Sequence, residues 1–181
     1  MINANVVFWF FVILIAFVGA SRGWIREVLV MFSMIFALFV LSFFKAPIDS
    51  FSAGWSLENR WFLKAIPFLV ITLFGYAGPA LTRNKVASGS GKYQEGLLAF
   101  LIGGFNGWMI FSSLAYFANE VGILRGESYA ARGATLFTRP ATQNGWDSFF
   151  FISNSAVTYF SGTTLVLVLI ALVLFVLIVV I

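Results

Sequence analysis

The 181-residue chain is 61% hydrophobic and only 10% charged. A soluble globular domain has roughly a quarter of its residues charged, so most of this surface is built for lipid rather than water. The net charge of +4 and pI near 9.7 do not imply nucleic acid as a partner, because the cations stand singly or in twos and threes at the ends of apolar runs, where they anchor and orient membrane spans. Neither Cys nor His occurs. That excludes disulfides, thiolate or imidazole metal sites, His-ligated haem and the usual base of a catalytic triad. No catalytic residue, cofactor or metal is expected, and the chain is read as a non-enzyme.

A bilayer core of about 30 Å takes about 20 apolar residues in helical form. By that measure the sequence predicts an all-α, multi-span bundle, one integral membrane domain over 1–181. Five spans are expected near residues 5–20, 27–44, 62–81, 96–118 and 163–181, with an extramembrane or interfacial segment over 119–162. Residues 1–5 carry no Lys or Arg, and the first cations follow the first apolar run. A cleaved signal peptide has the reverse arrangement, so the first span reads as retained.

Between the first two spans lies a short polar hinge containing Gly19, Arg22, Gly23, Trp24, Arg26 and Glu27, which predicts a tight membrane hairpin. Gly19 and Gly23 stand four apart and remove side-chain bulk, so another helix or the returning chain can approach closely. Arg22 and Arg26 suit anionic headgroups, Trp24 suits the interface, and Glu27 suits the positive end of the second helix dipole and a pair with Arg22 or Arg26. A plain charged turn with membrane anchors accounts for these residues locally; a specific docking or gating role is the alternative.

The second span ends at Lys45-Ala46-Pro47. The third holds Pro67 in its first turns and Gly75, Gly78 and Pro79 near its end, and is expected to kink or fray there. In the fourth span Gly103, Asn106 and Gly107 fall together, and Gly103-x-x-x-Gly107-Trp108 echoes Gly19-x-x-x-Gly23-Trp24. Gly103 and Gly107 mark a close-packing face, and Asn106, at or near membrane depth, needs a hydrogen-bond partner. The acidic residues Glu95, Glu120 and Glu127 fall at or beyond span ends, which argues against an ion-coupled transporter. Ahead of the last span, Asp147 or Ser148 is a candidate N-cap for an interfacial helix carrying Phe149 to Phe160; a short re-entrant piece packed on the bundle is the competing reading.

Arg22 and Arg26 in the first loop, and Arg83, Lys85 and Lys92 in the third, make those loops cytoplasmic. The N-terminus is then outside and the C-terminus inside.

The hinge order Gly19-x-x-Arg22-Gly23-Trp24-x-Arg26-Glu27, flanked by two apolar spans, resembles the colicin V production protein (CvpA) family. The Gly-rich fourth span is similar to the later part of that pattern. The chain shows Asn3 and Asn5 where many members have an Asp, and the apolar run at 165–181 lies outside the pattern. The resemblance implies a multi-pass protein of the bacterial inner membrane linked to envelope maintenance or export. Together these readings predict a membrane scaffold or accessory subunit that meets membrane lipids and other membrane subunits, or its own copies, through two packed faces: Gly19 and Gly23, and Gly103, Asn106 and Gly107. The rivals are a small channel or transporter lined by Asn106, Thr72 and the glycines, and a lipid- or pigment-binding subunit of a bioenergetic complex.

Overall fold

A computed structural model describes residues 4–77, 91–123 and 150–180. The architecture is all-helical. The elements in chain order are α1 (Ala4–Arg22), α2 (Trp24–Phe43), α3 (Lys45–Phe51), α4 (Leu57–Ala77), α5 (Gly91–Val121), α6 (Phe150–Ser153), α7 (Ala156–Tyr159) and α8 (Gly162–Val180). Four stretches are long and apolar enough to cross a membrane: Asn5–Arg22, Trp24–Phe43, Leu57–Ala77 and Tyr93–Val121. A fifth, shorter apolar helix stands near the C-terminus, where the last span is expected, so four span-capable helices are found among the described residues against the five expected.

The 31-residue α5 is the centre of the bundle. It packs along α1 on one side and against α2 and α4 on the other, while α8 leans on α2. The core is formed by Val30, Met34, Ile35, Ala37 and Leu38 of α2 with Phe68, Met109, Phe117, Ala156 and Leu165. Apolar side chains outside this core face outward on every spanning helix, as lipid solvent allows.

Three local differences from the sequence expectation have physical causes. First, α1 and α2 are not a tight hairpin; they touch little, and α5 takes the place beside α1 that a return strand would occupy. Second, the chain after α2 does not end in a loop but makes the extra short helix α3, with Pro47 in its first turn, where a missing N–H costs no hydrogen bond. Third, the segment expected as an interfacial helix consists of two single turns, α6 and α7, separated at Asn154–Ser155. Ser155 caps α7, its side chain accepting from the Thr158 N–H, and both turns pack on α5. The Ala156 N–H donates to Ser112 Oγ at 3.1 Å, so this piece is docked on the bundle. The proposed caps Asp147 and Ser148 lie outside the described residues, as do Gly78 and Pro79; α4 runs as one helix through Pro67.

Candidate functional site

Two polar clusters stand at opposite ends of the bundle, and the first is built on the hinge. Gly23 is the single residue between α1 and α2, with φ +93° and ψ 147°, a region essentially restricted to glycine. Its N–H donates to the Gly19 carbonyl at 3.2 Å, and its own carbonyl accepts from the Glu27 N–H at 3.4 Å. Nothing lies within 4 Å of where its Cβ would stand, so Gly23 serves the turn and not helix contact. Of the expected packing residues it is the one that packs against nothing.

Gly19, Gly103 and Gly107 do pack, and they pack on one another's helices. A Cβ added to Gly19 would sit 2.8 Å from the Gly103 Cα and 2.9 Å from the Ala99 carbonyl oxygen. One added to Gly107 would meet Val12 Cα and Ile15 Cβ at 3.1 Å. The contacts run in opposite senses along the two chains, so α1 and α5 are antiparallel. With Phe8, Val12 and Ala16 buried on the same side of α1, the result is a seam of small residues that brings two backbones together, the membrane form of close helix packing. The two faces expected to receive partners therefore receive each other.

That close approach sets the position of Glu27. Its side chain is 0% exposed, and the carboxyl carbon lies 3.3 Å from where a Gly19 Cβ would be, so a side chain there would press on it. Arg22 Nη1 donates to Glu27 Oε1 at 3.2 Å, and Arg22 Nη2 donates to the Tyr76 carbonyl at 2.9 Å. The guanidinium also lies over the Tyr76 ring, 4.5 Å from its centroid, a cation–π contact. Asn106 Nδ2 donates to both the carbonyl and Oε2 of Glu27, each at 2.9 Å. A buried carboxylate is tolerable only when paired and hydrogen-bonded, and here α1, α2, α4 and α5 all contribute to that satisfaction. Trp24 and Arg26 are half-buried beside it.

Sequence reading anticipated the Arg22–Glu27 pair and Asn106's need for a partner. It placed Glu27 in the membrane-interface hinge, at the start of the second helix, with no role inside the bundle, and it did not connect Glu27 with Asn106, 79 residues away. Tyr76 was missed altogether, since its contribution is a backbone carbonyl and a ring face, for which the sequence carries no signal.

The second cluster lies where α2 ends, α4 begins and α5 ends. Lys64 Nζ stands 3.0 Å from Asp49 Oδ1 and 2.9 Å from Glu120 Oε2, and Lys45 Nζ stands 2.8 Å from Glu120 Oε1. Lys64 is buried, whereas the Lys45 side chain is 57% exposed. The Lys45 ammonium is held above the ordinary lysine value, first by its hydrogen bond to Glu120 and then by that carboxylate's charge, against a smaller desolvation cost. A cavity of about 300 Å³ opens beside these charges, under α7.

Among the described residues no cluster of three or more His, Cys, Asp or Glu could hold a metal ion. No family model, curated protein or solved structure matches the chain.

Proposed function

We propose that the protein is a non-enzymatic membrane scaffold or accessory subunit, a rigid bundle that presents an outer helix face to other membrane proteins. The chain is an integral, multi-pass membrane protein by its four span-capable helices; the scaffold role is the inference. The observation that carries it is the closure of the hinge cluster. The residues a solute path would use are closed off by packing. Asn106 Nδ2 is bonded to Glu27, Gly103 and Gly107 lie against α1, and the Thr72 hydroxyl donates to the Phe68 carbonyl of its own helix at 2.8 Å. Asn106 Oδ1 has no partner among the described residues but is sealed in a side chain that is 0% exposed. A path for ions or solutes needs wet, unpaired groups at depth.

With the glycine seam closed inside the protein, a partner must meet another surface. Helix α1 offers one. Val6, Phe10, Ile13 and Phe17 are 64%, 60%, 50% and 65% exposed and recur at four-, three- and four-residue intervals, the spacing of a helix-packing stripe. The family resemblance of the hinge supports a bacterial inner membrane. Arg22 and Arg26 on the hinge side, with the three cations of the next loop on that side, support an N-terminus outside and a C-terminus in the cytoplasm.

The chain's lack of Cys makes the test direct. A single cysteine at Phe10 or Phe17, treated with a thiol-specific photo-cross-linker in native membranes, is expected to give discrete protein adducts, whereas one at buried Phe8 gives none. Adducts absent from both exposed positions, together with solute flux through the purified protein in proteoliposomes, would replace the scaffold by the channel reading.

A further inference from the structure

The cavity at the end of the bundle away from the hinge is balanced in charge. Lys45, Lys64 and Glu120 line it, and Asp49 stands behind Lys64. Lys45 spends its ammonium on one carboxylate oxygen while more than half of its side chain stays open, so donor capacity remains for an anionic oxygen. Glu120, Thr158 and Ser161 supply acceptor oxygens around the same space. A lone anion would meet Glu120, and a lone cation would meet the lysines; a ligand carrying both charges a few ångströms apart meets an opposite charge at each end.

A second depression adjoins the first, and the two share Leu41 and Ile48 as a common wall. This groove, about 380 Å³, is lined otherwise by Val40, Phe44, Pro47, Phe51, Leu63 and Pro67 and is almost wholly apolar. Lys45 opens α3, two residues past the end of α2, and Glu120 is the penultimate residue of α5, which puts the charges at headgroup level. The groove runs inward from there: Phe44, Pro47, Phe51 and Leu63 line it near the level of the charges, and Val40 and Pro67 lie about a turn nearer the bilayer interior.

We propose that these adjoining hollows bind one zwitterionic glycerophospholipid with a primary amine, of the phosphatidylethanolamine type. The phosphate takes the free hydrogens of the Lys45 ammonium. The headgroup amine donates to Glu120 and the neighbouring hydroxyls, which a quaternary amine could not do. One acyl chain crosses the Leu41–Ile48 wall into the groove. The site is independent of the scaffold reading and would stand if that reading fell.

Native mass spectrometry of the full chain in mild detergent tests it, using phosphatidylethanolamine, phosphatidylcholine and phosphatidylglycerol with identical acyl chains. The ethanolamine lipid is expected to be retained about tenfold over the others, the value of one lost charge-assisted hydrogen bond. Lys45→Gln and Ile48→Trp, both at positions outside the buried core, are each expected to lower that retention about tenfold while melting stays cooperative, shifted in Lys45→Gln by no more than the loss of one exposed ion pair. Glycerophosphoethanolamine and inorganic phosphate, added at the lipid's concentration, are expected not to compete. Equal retention of the three lipids, wild-type retention in both variants, or displacement by either chain-free competitor would each overturn the assignment.

Discussion

The two ends of the bundle handle buried charge in opposite ways. At the hinge, glycines remove space until backbone meets backbone, and the one carboxylate inside is bonded directly from two sides, by Arg22 and by Asn106. At the far end the ion pairs Lys45–Glu120, Lys64–Glu120 and Lys64–Asp49 form around a cavity, and Lys45 remains largely open. A charge can be held in a membrane protein by tight enclosure or by exchange among several partners at the surface. Enclosure gives rigidity; the looser arrangement leaves a place for something else to bind. Substitutions at the two ends should therefore differ in size.

The largest effect belongs to the seam. Gly19→Leu drives a branched side chain into the Gly103 Cα and the Ala99 carbonyl, atoms that cannot rotate away. Overpacking of this kind costs about 3 kcal/mol, and here it also displaces the Glu27 carboxyl. The expected result is loss of the cooperative melting transition in detergent. Gly96→Leu is the control, because nothing lies within 4 Å of that Cβ position; it should melt no lower than wild type. Equal melting of the two variants would mean that the α1–α5 seam is not sealed at Gly19.

Next is the buried carboxylate. Glu27→Ala removes the carboxylate that Arg22 and Asn106 share and leaves each with a backbone carbonyl alone, that of Tyr76 and that of residue 27; breaking a buried pair by one partner costs about 3–5 kcal/mol. Replacing Arg22 as well, in an Arg22→Leu/Glu27→Ala protein, removes both charges and should recover a substantial part of the loss. A double-mutant cycle reads the coupling, expected at about 1–3 kcal/mol. Additive single effects would mean that the pair is incidental to the packing.

How much of this was legible in the sequence follows from what each contact is made of. The spans could be read because the requirement for about 20 apolar residues is local. Gly19, Gly103 and Gly107 could be recognised as close-packing positions because smallness is a property of the residue. That Gly19 would meet Gly103 was not legible, since mutual recognition of two distant glycines depends on which helices become neighbours. The same limit hid the Glu27–Asn106 bond and recast both faces, expected to await partners, as one internal seam. Glu120 read as an acid at or beyond a span end and Lys45 as the close of the second span; the ion-pair cluster they form with Lys64 and Asp49 depends on which helix ends become neighbours. Gly23 shows the converse. Its spacing from Gly19 suggested packing, while its positive φ is a requirement of the turn itself.

Gly23→Ala isolates that requirement. There is room for the methyl group, so the cost is conformational alone, about 1–2 kcal/mol for an L-residue held at positive φ. A fall in melting temperature without loss of cooperativity is expected, smaller than for Glu27→Ala. No change would mean that the α1–α2 junction can re-form with a different backbone and that the hinge does not fix the register of the seam.

The smallest effect should come from the open end, through Lys45. Its folded-state affinity for a proton is raised above the ordinary value of 10.5, first by the hydrogen bond to Glu120. A group whose folded value is raised contributes stability that is complete below the unfolded value and is lost as pH rises through the folded one. Melting measured upward from pH 9 should therefore show wild type keeping its advantage over Lys45→Gln until the pH passes about 10.5, then losing it as the amine deprotonates. Because the side chain is 57% exposed, water screens the pair and the advantage should stay below about 1 kcal/mol. A gap several times larger would mean that this end is as tightly enclosed as the hinge. A gap that persisted unchanged above the lysine range would mean that the stem of Lys45 does the stabilising rather than its charge.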